Sequence, residues 1–341
     1  MKNVRWAIVG TGDVSTAIAL DFHRAADAEL VAVCSRSETR AASFAADIGA
    51  SRGYGDLSQL WDDRTIDAVY IATPHGTHRA IARAALAAGK HVMVEKPLAL
   101  TRAEAADILD LSSSVGLLAM EAMWMKFSPM MEGLRQTVRE GAIGEVRSIR
   151  ASFGVPFPRG VGSRWSAALG GSTLLDQGIY PVTLAHILLG DPAAVNARAE
   201  FEGGVDVSVH ATLEYAGGKY AQVAASCVEY ADMSATVNGT AGWITIDAPF
   251  WAGSGFTVHR PSSGLTGGER REFTIEGNGF TPMIEAACRA ILSGSLLVDE
   301  HTPLDILAVY RQLDDLRRSV PSWGMTGEAG LFPLGPPNDS E

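Results

Sequence analysis

The first 121 residues alternate short apolar runs with helical patterns. Val4 to Val9 is an apolar run ending in Gly-Thr-Gly, Val14 to Ala26 reads as a helix, and Leu30 to Cys34 reads as a second buried strand. Thr39 to Ile48 is alanine-rich and helical, and AVYIA over 68–72 is another uninterrupted apolar run. Ala80 to Ala88 forms a helix stopped by Gly89, a residue suited to the position just past a helix end. HVMVE, His91 to Glu95, predicts a strand halted by Lys96-Pro97. Thr101 followed three residues later by Glu104 is a capping-box start, and Leu117 to Glu121 is the last apolar run of the set. Buried strands that alternate with helices predict a doubly wound parallel sheet of the Rossmann kind.

Past Ala122 the pattern changes. Ser128 to Glu140 predicts a helix, and Val146 to Phe153 alternates like a half-exposed strand. A Gly/Pro-rich loop (GVPFPRGVGSR) precedes a helix over Thr173 to Leu189. Strands are expected near 195–201, 206–214, 219–228, 234–239, 242–247, 256–259 and 271–275, followed by helices over 280–293 and 303–319. The alternation in VDVSVHATL and WITID predicts a large, mainly antiparallel, open-faced sheet. The division expected is therefore a dinucleotide-binding domain over 1–122 and an α+β domain over 123–341, which carries substrate binding and oligomerisation. The 303–319 helix is a candidate to pack back on the first domain, and the Gly/Pro-rich tail from Pro321 reads as irregular.

Composition narrows the class. With 39 acidic against 28 basic residues, a formal net charge of −11 and no basic run, nucleic acid is not an expected partner. Cys34, Cys227 and Cys288 are widely spaced, which excludes a cysteine-rich zinc site or disulfide scaffold and fits a reducing compartment. No apolar segment approaches the roughly 18 residues of a membrane span, and no leader-like stretch opens the chain. A cytoplasmic location is expected.

Gly10-Thr11-Gly12-Asp13-Val14-Ser15 lies between the first strand and the first helix. It is a dinucleotide fingerprint with Ser15 in place of the third glycine: Gly10 allows the tight turn, Gly12 lets backbone approach a pyrophosphate, and the helix start offers N–H donors. An NAD site would set a carboxylate at the end of the second strand, where this chain has Ser35-Arg36-Ser37. An arginine between hydroxyls suits a 2′-phosphate, favouring NADP over NAD. Thr73-Pro74-His75-Gly76-Thr77-His78 follows AVYIA at the carboxyl edge, where such sheets bind cofactors. His75 and His78 have no third ligand type nearby, so no metal is expected. Glu95 and Lys96 end the next strand on the same edge, where the ammonium can meet a substrate oxygen or move a proton. In GGSTLLDQGIY, Asp176 and Tyr180 stand four apart on one helix face. An ammonium nearby would lower the phenol pKa, though Asp176 as a cap and Tyr180 as a core aromatic remain open.

Together GTGDVS, ATPHGTH, EKPLAL and LGGSTLLDQGIYP resemble the Gfo/Idh/MocA oxidoreductases from residue 1 to about 320. EAMWMKF over 121–127, the Tyr at 180 and GNGF over 277–280 are most similar to the dimeric dihydrodiol dehydrogenase branch. The resemblance implies hydride transfer between nicotinamide C4 and a carbon bearing hydroxyl or carbonyl, on a sugar, polyol, dihydrodiol or related compound. It implies Lys96 and Tyr180 as the catalytic pair, with Asp176 orienting Lys96 or the substrate. Many members carry His where this chain has Tyr180, which puts an inositol-type or simple sugar-dehydrogenase substrate in doubt. Trp124, Phe153 and Arg164 are pocket candidates that read equally as packing. The rival reading is a nucleotide-dependent regulatory or sugar-sensing protein on the same fold. A homodimer or larger oligomer through the open sheet is expected.

Overall fold

Two sheets organise the chain in the computed structural model, which describes residues 3–261 and 267–324. The first holds β1 (Val4–Val9), β2 (Ala28–Cys34), β3 (Arg52–Tyr54), β4 (Ala68–Ile71), β5 (His91–Glu95) and β6 (Ala119–Ala122). All five of its pairings are parallel, in the order β3-β2-β1-β4-β5-β6. That order reverses direction between β1 and β4, the switch point at whose carboxyl edge such sheets bind ligands. Its helices are α1 (Asp13–Phe22), α2 (Glu38–Asp47), α3 (Leu57–Asp62), α4 (His78–Ala87) and α5 (Arg102–Val115). α5 begins as its sequence signature demands. The Thr101 side chain accepts the Glu104 N–H at 3.2 Å, and the Glu104 carboxylate turns back to the Leu100 N–H at 3.0 Å.

The second sheet holds β7 (Val146–Gly154), β8 (Ala194–Glu202), β9 (Val205–Tyr215), β10 (Lys219–Ser226), β11 (Ala235–Gly239), β12 (Trp243–Ile246), β13 (Gly255–His259) and β14 (Glu269–Glu272). The order is β14-β13-β12-β11-β7-β10-β9-β8, antiparallel except where β7 meets β10. α6 (Pro129–Arg139), α7 (Ile179–Leu189) and α9 (Pro303–Ser319) pack on it, and α8 (Thr281–Ser293) packs on α1 and β1. Val205, Val207, Val209, Ala221, Val223 and Ala225 are all buried, as their shared alternation requires. The other face carries Arg150, Asn196, Arg198, His210, Thr212 and Gln222 around an open groove of about 470 Å³. The alternation predicts a largely uncharged open face, and the structure corrects this: Arg150, Arg198 and His210 make it polar and charged.

α9 also reaches the first sheet's loops: the Tyr310 hydroxyl accepts the Ala99 N–H at 3.2 Å, and the Asp314 carboxylate accepts that of Arg102 at 3.1 Å. Three local expectations are corrected. α1 stops at Phe22 rather than Ala26, and the Arg24 and Ala25 N–H groups close a turn onto the Asp21 carbonyl. The strand expected over 271–275 lies at Glu269–Glu272, whose all-polar sequence hides it at the sheet edge. The helix expected from Thr173 begins as a π turn over Leu174–Gly178 before α7 takes over. Pro321–Gly324 is a short 3-10 turn, and the rest of the C-terminal tail lies outside the described residues. Among the described residues no helix is long and apolar enough to cross a membrane.

Candidate active site

The carboxyl edge of the first sheet suits a dinucleotide. Gly10 has φ +113°, and a Cβ there would stand 2.3 Å from the Ala72 carbonyl oxygen, so the turn admits only glycine. A Cβ on Gly12 would meet nothing within 4 Å, which leaves open space beside the start of α1. No side chain caps that helix, so its first N–H groups are available to an anion, with Thr11, Asp13 and Val14 beside them. Ser15 is fully buried, the small residue that helix-on-strand packing requires where the usual motif has glycine. At the end of β2, Arg36 is exposed and makes no ion pair among the described residues. Ser37 caps α2 by accepting the Arg40 N–H at 3.3 Å, and Ser35 accepts the Ser37 N–H at 3.5 Å.

The turn after β4 is locked internally. The Thr73 and Thr77 hydroxyls meet at 2.7 Å, and Thr77 donates to the Pro74 carbonyl at 2.7 Å. The buried His78 ring bridges two loops, with Nδ1 2.8 Å from the Pro97 carbonyl oxygen and Nε2 2.7 Å from that of Thr73. His75 sits half-buried near Asp176, and burial pushes its pKa down to about 3, so it is neutral. Among the described residues no group of three or more His, Cys, Asp and Glu is arranged to hold a metal ion.

Lys96, one residue past β5, is brought onto the π turn. Its Nζ donates to the Asp176 carbonyl at 2.8 Å and to Asp176 Oδ1 at 2.7 Å, and lies 5.3 Å from the centre of the Tyr180 ring. Arg164 Nε donates to the other Asp176 oxygen at 3.0 Å while its guanidinium stacks 3.5 Å over Phe157. Burial opposes the charge on Lys96, but Asp176, Tyr180 and Glu95 outweigh it and hold the ammonium above its usual value. Burial likewise opposes charge on Asp176, and Lys96, His75 and Arg164 keep the carboxylate far below the ordinary range. Glu95, buried with the Tyr70 hydroxyl donating to it, is pushed by burial up to about 7 despite Lys96.

Tyr180 corrects the sequence expectation. Burial raises its phenol to about 12, and the neighbouring ammonium reduces that rise without reversing it. Tyr180 is therefore protonated at neutral pH. Its ring lies in an aromatic wall: Phe153 stacks on Trp251 at 3.7 Å, and both rings are 5.7 Å from Tyr180. Trp124 Nε1 donates to the Tyr180 oxygen at 3.0 Å.

The chain matches a known family in both of its sheets. Residues 4–122 match the oxidoreductase family with an NAD-binding Rossmann fold, and residues 131–245 match the GFO/IDH/MocA C-terminal domain. Mouse trans-1,2-dihydrobenzene-1,2-diol dehydrogenase is 34% identical over 278 residues, covering 79% of this chain and 80% of its own. The chain belongs to the Gfo/Idh/MocA family. The human enzyme of the same name is 33% identical, with 80% of each chain covered. A 3-ketoreductase from Actinomadura kijaniata, solved with NADP and TDP-benzene, superposes with a TM-score of 0.84 at 27% identity, covering 94% of this chain and 98% of that one. Aldose-aldose oxidoreductase from Caulobacter crescentus, complexed with glycerol, gives 0.83 at 26% identity, covering 93% and 97%. As a Gfo/Idh/MocA protein, this chain is an NAD(P)-dependent dehydrogenase/reductase.

The structure gathers Lys96, Asp176, Tyr180, Trp124, Phe153 and Arg164 into one connected cluster, while Arg36 stays at the end of β2. Sequence reasoning missed Trp251 and Asp206. Trp251 follows β12 in a loop with no periodicity to mark it. Asp206 is buried in β9 and accepts the Leu174 N–H at 2.7 Å, which pins the start of the π turn.

Proposed function

We propose that this Gfo/Idh/MocA protein moves a hydride between NADP(H) and a carbon bearing hydroxyl or carbonyl in a sugar, polyol or dihydrodiol. The convergence of Lys96, Asp176 and Tyr180 beneath an aromatic wall carries this reading. When bound, the nicotinamide supplies or accepts the hydride at C4. Gly10, Thr11, Gly12, Asp13 and Val14 would hold its pyrophosphate, and Thr73, Pro74, His75, His78 and Glu95 would line its path along the sheet edge. Arg36 between Ser35 and Ser37 would pair with the 2′-phosphate that distinguishes NADP from NAD.

In reduction, protonated Tyr180 gives its proton to the substrate oxygen as negative charge builds there. Lys96 has three N–H donors, two of them spent on Asp176, and the third is left for that oxygen. Asp176 fixes the ammonium in place, and Arg164 holds the other Asp176 oxygen so that the carboxylate stays oriented. In oxidation Tyr180 takes the hydroxyl proton, which makes the rate rise with pH. Phe153, Trp251 and Trp124 offer flat apolar faces to a ring substrate.

The polar groove with Arg150, Arg198 and His210 is the surface for a homodimer, which light scattering would register as about twice the 36.0 kDa of one chain. Three buried, unpaired cysteines suit the cytoplasm. The deciding experiment is a panel of sugars, anhydro sugars, polyols and trans-diols followed by NADPH absorbance. Turnover of a diol or sugar supports the reading, and none across the panel in either direction overturns it.

A further inference from the structure

We propose that Trp124 is the positioning residue for the Tyr180 proton: its indole N–H occupies the phenol oxygen from one side and leaves the O–H aimed at the substrate. The inference rests on Tyr180 being the proton donor. An indole nitrogen donates and never accepts, so at 3.0 Å the Tyr180 oxygen must be the acceptor. No other hydrogen bond reaches that oxygen among the described residues, and the Tyr180 side chain is buried. Its own proton therefore has no protein acceptor, and it turns away from Trp124. The same N–H stabilises a phenolate once the proton has left, and so eases the transfer in both directions.

The indole is held from both halves of the molecule. It sits in the 3-10 turn Trp124–Phe127 directly after β6. The Phe280 ring packs against it with centroids 5.1 Å apart, and a Cβ on Gly279, at φ +91°, would come within 3.1 Å of it. That loop is tied down by Asp21 of α1, a fully buried carboxylate. It accepts the Asn278 N–H at 2.9 and 3.1 Å and the Phe280 N–H at 2.7 Å. The Asn278 side chain adds a 2.9 Å bond to the Ala17 carbonyl. The helix that opens onto the dinucleotide edge thus also fixes the hydrogen bond that orients the proton donor.

The test separates the N–H from the bulk of the ring. Benzothienylalanine placed at position 124 keeps the shape and replaces N–H by sulfur, and Trp124→Phe removes both the N–H and half the ring. The readout is the pH profile of kcat/KM for oxidation of trans-1,2-dihydrobenzene-1,2-diol with NADP+. Tyr180 Cζ carbon-13 shifts at neutral pH, assigned with Tyr180→Phe, read the same hydrogen bond without substrate. Both variants are expected to displace the rising limb of the profile upward by about one pH unit and to move the Tyr180 Cζ resonance. This amounts to about tenfold lower activity at a fixed pH on the rising limb. An isostere whose Tyr180 resonance and profile overlay the wild type would overturn the proposal and reduce Trp124 to packing. Tyr180→Phe assayed alongside separates the two levels. Wild-type turnover there removes Tyr180 from the chemistry, whereas an inactive Tyr180→Phe beside an unmoved isostere removes only the role of Trp124.

Discussion

Lys96 after β5 and Glu121 in β6 are buried charges on neighbouring strands, and they differ in what they leave unmet. Both oxygens of Glu121 are engaged by the protein itself. Its Oε1 accepts the Leu98 N–H and the Tyr310 hydroxyl, each at 2.9 Å, and its Oε2 accepts His301 Nε2 at 2.9 Å. Those bonds knit β6, the segment after Lys96 and the start of α9 into one sealed knot. Lys96 spends two donors on Asp176 and keeps one, 5.3 Å from the centre of the Tyr180 ring. Both groups titrate away from their ordinary values. A perturbed pKa therefore does not identify a reacting group by itself. Spare hydrogen-bonding capacity facing a cleft does.

Substitution separates the two clusters. Lys96→Ala is expected to cut turnover by about 10²–10⁴, while the fold is kept because Arg164 still neutralises Asp176. Steady-state rates beside thermal melts check both halves. Glu121→Ala should do the reverse: it leaves the buried Leu98 N–H, Tyr310 hydroxyl and His301 ring without their acceptor, at about 1–3 kcal/mol for each group left unmet. The protein that remains folded should still turn over, as denaturant unfolding with parallel activity measurements would show. A Glu121 variant of normal stability and abolished turnover would erase the distinction.

Arg36→Ala tests the cofactor edge and leaves both clusters untouched. NADPH binding should weaken by about 1.5–3 kcal/mol with NADH unchanged, as fluorescence titration reads directly. Equal wild-type affinity for the two cofactors would contradict the assignment. A smaller effect sharpens the comparison through pH. Burial lowers the His301 pKa below the usual 6.5, although its bond to Glu121 opposes this. Burial would raise Glu121, but His301, Leu98 and Tyr310 bring it below 4.5. In both cases the unfolded chain binds the proton first, so stability is full above about pH 6.5 and falls as pH drops through the imidazole and then the carboxylate range. His301→Asn should make the first of those two declines shallower without removing it in a stability-versus-pH series, because burial also lowers His75, His78, His91 and His186.

How much of this was legible in the sequence depended on whether a signal was local. β1, β2, β4 and β5 are buried on both faces and announce themselves as apolar runs. β3, with its half-buried Arg-Gly-Tyr, and the six-residue α3 carry no such signal and went unassigned. Lys96, Asp176 and Tyr180 were readable from spacing and from family resemblance. The π turn that aims the Asp176 carbonyl at Lys96 was not, because it depends on backbone bonding rather than side-chain type. The upward shift of Tyr180 needs burial, and burial is known only once Phe153 and Trp251 are packed against it.

The central claim is that Tyr180 carries the proton beside Lys96, and its most direct test is Tyr180→Phe. Turnover of the best panel substrate should be measured with NADPH, with cofactor affinity determined on the same preparation. Turnover is expected to fall by about 10²–10⁴ with NADPH binding retained. Turnover equal to wild type would contradict it and move the proton to Lys96.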